Sequence, residues 1–158
     1  GNGLTLATAA PEHGPGLWLN RRYELKDDSL ILRSRIENRG GQACRYAWGA
    51  GLHLTCPGPA AVVYRDAAGD KRLDWDALAD GLAAGRVLAD AGLPLGRLRI
   101  EMDGWRITAA FSAAITTVII GKVAARSMLA IDFRSGRGEL APGGNLLFEQ
   151  VWQCERRA

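Results

Sequence analysis

Histidine and cysteine are scarce in this sequence, with two of the first and three of the second among 158 residues. Cys44, Cys56 and Cys154 are odd in number and stand in no Cys-x-x-Cys or Cys/His ligand spacing. That argues against a disulfide framework and a structural zinc site, so a reducing, cytoplasmic setting is expected, with no metal and no cofactor. Charge runs are missing as well. Twenty Lys and Arg face 17 acids, for a net charge of +3, and they are scattered along the chain, so no nucleic-acid partner is expected. The longer apolar stretches, such as residues 115–120, are far too short to span a bilayer. No charged segment followed by an apolar one opens the chain, and no membrane partner is expected. A Gly-x-Ser-x-Gly elbow is absent too, which leaves a serine triad without its usual support.

What the chain does have is apolar residues (47%) and 20 glycines that fall mostly between apolar segments, where they read as turn punctuation in a globular protein. One domain covering residues 1–158 is expected from the length. Period-two alternation dominates. Leu17, Leu19, Tyr23 and Leu25 share one parity, and Leu30, Leu32 and Ile36 repeat it after the polar turn at residues 26–29, which predicts a hairpin. Asn38-Arg39-Gly40-Gly41 then tolerates positive φ, so residues 42–48 are expected to return as the third strand of a meander. The clearest hairpin spans residues 97–111, where Leu98, Ile100 and Met102 lead into Asp103-Gly104, a pair suited to a type I′ turn, and Trp105, Ile107, Ala109 and Phe111 resume the pattern. Residues 115–123, 128–133 and 146–154 also read as strands. Residues 74–91 form the exception, read as a weak helix capped by Asp74 or an ordered loop. The fold class is all-β, an antiparallel β-sandwich.

Chemistry has few places to sit. His13 lies in Pro-Glu-His-Gly-Pro-Gly, a turn composition, and reads as a solvated loop residue. His53 follows Trp48-Gly49-Ala50-Gly51-Leu52, a strand expected to open into a glycine-rich bend that lets a ligand approach closely. It is either a hydrogen-bonded structural histidine or a proton-transfer group. Tyr46, Trp48, Trp105 and Trp152 are candidate surfaces for stacking on a sugar ring, with Trp48 foremost, although aromatics of this kind also build cores. Asp132 interrupts the apolar run Ala130-Ile131-Asp132-Phe133. There a carboxylate is either paired and used, or turned to solvent by ordinary strand alternation. Glu139 and Glu149 share this ambiguity with less context.

Residues 22–38, then Ala47-Trp48-Gly49-Ala50-Gly51-Leu52-His53, then Leu140-Ala141-Pro142-Gly143-Gly144 and Phe148 to Trp152, together resemble the galactose mutarotase (aldose 1-epimerase) superfamily, in its C-terminal half. The resemblance implies part of a β-supersandwich and acid/base chemistry at a sugar's anomeric centre. His53 would protonate the ring oxygen, and Asp132 would take the place of the family's glutamate base. The pattern departs from the family at Leu54-Thr55, where a His-Pro or aromatic pair is usual, and in having Asp for Glu. The family's first histidine and substrate-binding arginine come from an N-terminal half not matched here. Two functions follow as expectations: a sugar-binding, mutarotase-like isomerase, or a non-catalytic β-sandwich module for binding or oligomerisation. A half-length supersandwich also leaves sheet edges to cover, so a homodimer is expected.

Overall fold

Strands that are apolar on alternate residues need a second layer against one face, and here two antiparallel sheets cover one another. The structure, a computed structural model, describes residues 2–9, 16–56, 58–66, 69–84, 86–89 and 96–157. The larger sheet runs in the order β1 (Asn2–Ala9), β2 (Leu17–Lys26), β3 (Ser29–Asn38), β14 (Asn145–Arg156), β10 (Trp105–Phe111), β9 (Arg97–Met102), β6 (Ala61–Asp66) and β7 (Gly69–Asp74). The smaller sheet runs β5 (Gly49–Thr55), β12 (Met128–Arg134), β11 (Thr117–Val123) and β8 (Arg86–Ala89), while β4 (Cys44–Tyr46) pairs separately with β13 (Gly138–Leu140). Every ladder between these strands is antiparallel. The all-β sandwich read from alternation is the architecture observed.

The core lies between the sheets. Leu129, Ile131 and Phe133 of β12 and Val118 and Ile120 of β11 are fully buried, as are Ile100 and Val62 of the larger sheet, with Phe148 nearly so. Each such side chain contributes about 1.5–3 kcal/mol by leaving water. Phe133 fixes the stacking of the two layers, meeting Phe111 of β10 edge-on at 5.4 Å and Trp152 of β14 at 5.6 Å and 90°. At one end of β3, buried Asn38 donates Nδ2 to the carbonyls of Gln42 and Leu140 at 2.7 and 2.8 Å and accepts from the Gly40 amide at 3.0 Å. It thereby closes the Asn38–Gly41 turn and ties it to β13.

Four local expectations need correction. The third partner of the β2–β3 hairpin is the C-terminal β14, not residues 42–48, of which only β4 is a strand and pairs elsewhere. Alternation specifies a face but not a neighbour, and β14 brings the longer apolar stripe. The hairpin at Asp103-Gly104 forms where expected, but only Gly104 takes positive φ, at +68°, so the turn is not type I′, which needs both central residues there. Gly49–Thr55 is a continuous strand and not a bend. Residues 74–91 hold two 3₁₀ turns, Trp75–Ala77 and Leu82–Ala84, and then β8, which pairs with β11 at the edge of the smaller sheet. Asp74 makes no side-chain cap there and instead binds Arg72 at 2.7 Å. His13 lies outside the described residues. No helix among the described residues is long and apolar enough to cross a membrane.

Candidate functional site

The β5–β12 ladder is fastened at both ends. The Ser135 amide donates to the Trp48 carbonyl at 2.9 Å while the Trp48 amide donates to the Ser135 hydroxyl at 2.9 Å, and at the far end the Cys56 amide donates to the Ser127 carbonyl at 2.8 Å. Ser127 reaches that position in the left-handed region, with φ of 50°, after the short turn Ala124–Arg126. With its ends fixed the register is fixed: His53 lies opposite Ala130, Gly51 opposite Asp132 and Gly49 opposite Arg134. Directly opposed residues share a face. Ala50, Leu52 and Leu54 turn inward with Leu129, Ile131 and Phe133, and His53 and Asp132 both turn outward.

On this outer face Gly49 and Gly51 are exposed and bring no bulk, and His53 stands exposed beside them, whereas Ala130, Ile119 and Gly121 farther along the same face are buried. His53 and Asp132 occupy diagonal positions on neighbouring strands, a spacing of about 7–8 Å between backbones. Asp132 is not a lone carboxylate: Arg134, two residues on and therefore on the same face, directs Nε and Nη2 to a single oxygen, Oδ2, each at 2.7 Å. The other oxygen, Oδ1, lies toward Gly49, 4.0 Å from where a Cβ on that residue would sit. The Asp132 side chain is 17% exposed and Arg134 54%, so the pair orients the carboxylate more than it stabilises the fold. One end of the face is walled by the segment after β7. The turn Leu82–Ala84 rests against β11 and β12, and the Gly81 carbonyl would be 2.7 Å from any Cβ on Gly121.

The aromatic residues singled out from sequence lie elsewhere. Trp48 is 4% exposed and stacks on Phe148 at 4.5 Å with the rings 6° from parallel, so it serves the core beneath the sheet. It also lines a cavity of about 120 Å³ with Leu17, Leu19, Arg21, Ile36 and Gly49. Tyr46, on β4, lays its ring across Gly138, where a Cβ would come within 2.6 Å of it. Trp105, 43% exposed, begins β10 in the larger sheet. The structure thus brings His53 and Asp132 onto one face and leaves Tyr46, Trp48, Trp105 and Trp152, the last buried against Phe133, apart from them. Arg134 is the residue that sequence reasoning missed. Its signal was available, since an acid and an arginine two apart on a strand share a face.

No protein-family model matches the chain, and no curated protein matches it in sequence. Solved structures match it in fold. The Slr1438 protein from Synechocystis sp. PCC 6803 superposes with a TM-score of 0.72 at 17% identity, over 98% of this chain and 61% of that one. A galactose mutarotase-like protein from Lactobacillus casei ATCC 334 gives 0.71 at 12% identity, over 97% and 69%. Another from Clostridium acetobutylicum gives 0.66 at 10%, over 98% and 63%. The chain has the galactose mutarotase-like fold, and it spans about three fifths of the length of the Synechocystis protein.

Proposed function

We propose that the outer face of the smaller sheet binds an aldose and that His53 and Asp132 interconvert its anomers. The observation that carries this reading is the shared face and diagonal register of an imidazole and a carboxylate over a glycine floor. A sugar ring lying flat on Gly49 and Gly51 would have one group at each side. Asp132 takes the proton of the C1 hydroxyl through Oδ1, while Oδ2 stays clamped by Arg134. As the C1–O5 bond breaks and C1 becomes an aldehyde carbon, protonated His53 delivers its proton to O5. Rotation about C1–C2 followed by the reverse steps returns both protons and closes the other anomer, so no net charge or electron is exchanged.

A second reading is favoured by the Arg134 clamp, which holds one oxygen of the carboxylate in a fixed two-point contact. In that reading the same face binds sugar without turning it over. Polarimetry of freshly dissolved aldoses, run beside calorimetric titration of each sugar, separates the two. Anomer interconversion that falls by about 10²–10⁴-fold in His53→Ala and Asp132→Asn supports catalysis. Heat of binding without interconversion supports the binding module, and neither signal with any aldose sinks both.

A further inference from the structure

We propose that the cavity between β2 and the start of β5 is a binding site for a small aliphatic carboxylate, of the size of acetate or propionate. This inference stands on the space between the sheets and does not rest on the sugar reading.

Two donors in the walls of this cavity lack acceptors. Arg21 and Trp48 both line it. The Nε of Arg21 and the Nε1 of Trp48 are each shut off from solvent, and neither has a hydrogen-bond partner among the described residues. Trp48 is buried as a whole, with one face of its indole lying flat on Phe148, so it cannot swing its N–H out to water without giving up that stack. A buried donor with no acceptor is costly, and folded proteins keep few of them.

The charge beside them is uncompensated. On the outer face of the larger sheet Arg33, Arg35 and Arg99 each meet a glutamate. Arg21 turns the other way, opposite Leu6 of β1 and Ser34 of β3, and neither neighbour is an acid. It forms no ion pair among the described residues, and its one acceptor there is the neutral carbonyl of Gly49, 3.0 Å from Nη2. A guanidinium held partly out of water without a counter-charge is a place where an anion is stabilised.

The rest of the lining selects the anion. Leu17, Leu19 and Ile36 give the cavity an apolar side, against which the further oxygens of a phosphate or sulfate would be buried with nothing to donate to them. A carboxylate has two oxygens, one for each unpartnered N–H, and an alkyl end that suits the leucines. The volume of about 120 Å³ equals about four waters at their share of liquid, about 30 Å³ each, which is room for the head group and one or two further carbons. Water accepts from an N–H but leaves the guanidinium charge unanswered. Arg21 belongs to the larger sheet and Trp48 leads into β5 of the smaller one, so a carboxylate held by both bridges the two layers beside Gly49.

Proton–nitrogen NMR reads the site directly, through the Arg21 Nε–H and whichever of the five indole N–H signals disappears in Trp48→Phe. Sodium propionate should move both signals along one saturable curve with a Kd on the order of 1 mM. At about twenty times that Kd it should raise Tm by about 4–7 °C. Sodium chloride and sodium phosphate at the same ionic strength, and neutral propionamide, should do neither. Arg21→Gln removes the charge, while Trp48→Phe removes the N–H and keeps a ring on Phe148, so each should weaken propionate binding by at least about tenfold. The second variant carries the test should the first fail to fold. Three results overturn the proposal. One is no movement of either signal and no gain in Tm at about a hundred times the expected Kd, which leaves the cavity to water. Another is an equal response to chloride, phosphate or propionamide, which means that the carboxylate group is not what binds. The third is propionate binding that survives both substitutions, which places it elsewhere on the molecule.

Discussion

The larger sheet turns Arg22, Arg33, Arg35 and Arg99 outward among Glu24, Glu37, Glu101 and Glu149, in a lattice of ion pairs with contacts between 2.6 and 3.7 Å. On the β5 side, the outer face of the smaller sheet instead exposes Gly49 and Gly51 beside a carboxylate–guanidinium pair and an imidazole, with Ile119, Gly121 and Ala130 buried farther along it. Both faces cover the same core, so the difference is not a matter of stability. A solvated face needs charged side chains on most outward positions to stay wet and unpaired. A face meant to receive a flat ligand needs them cleared away. Where side chains are missing from an exposed sheet, the few that remain are the ones to test.

The largest effect expected from this contrast is on reaction. Asp132→Asn should cut any aldose interconversion by about 10²–10⁴-fold with Tm little changed, whereas Glu149→Gln on the opposite face should leave the rate alone. Polarimetry on the two variants decides it, and equal losses would erase the distinction between the faces.

Next comes the shared core. Phe133→Ala removes a fully buried ring wedged against Phe111 and Trp152, and it should cost about 3–5 kcal/mol in urea unfolding. A cost under about 1 kcal/mol, within the range of an ordinary surface change, would mean the sheets do not pack through this ring.

Glycines on this face separate covered from vacant positions. A methyl at Gly121 would meet the Gly81 carbonyl at 2.7 Å, a backbone atom that cannot swing away, whereas at Gly51 the nearest atom is 4.0 Å off. Gly121→Ala is therefore expected to cost about 1–3 kcal/mol and to loosen the wall formed by residues 79–84. Gly51→Ala should stay within about 0.5 kcal/mol, read from the same unfolding curves. Reversal of that order would place the covering segment elsewhere.

The smallest effect belongs to the charged face. A hydrogen bond from Arg72, with Arg99 and Arg157 nearby, holds the Glu101 carboxyl below its ordinary value of 4.5. A carboxylate held down in the folded state favours folding above its unfolded pKa, and that contribution fades as the pH falls through the lower folded value. Glu101→Gln should therefore lower stability near pH 7 by about 0.2–1 kcal/mol, since its partners are exposed, and the difference from wild type should shrink as the pH falls below 4.5 and vanish once it is below the lowered folded value. A gap that persists there would point to packing and not charge.

Much of this molecule was legible before folding. Alternation located the β2–β3 and β9–β10 hairpins, and Asp103-Gly104 marked its turn, because neighbours a few residues apart impose those structures on each other. His53 and Asp132 stood out for a similar reason: each is a polar interruption in an apolar strand. Their meeting was not local. It depends on β5 and β12 pairing across some 80 residues in a register fastened by Trp48, Cys56, Ser127 and Ser135.

Composition and alternation by themselves determined that this chain is antiparallel β and which side of most strands faces inward, since burying apolar area and pairing backbone groups leave a sequence of this pattern little else to do. Tertiary structure decided the neighbours of each strand and what each face carries. It set β14 beside β3, sank Trp48 onto Phe148, straightened the glycines of residues 49–51 into a strand and clamped Asp132 with Arg134. The physical reason is that a strand's outward and inward edges are chemically alike until another strand, distant in sequence, takes one of them.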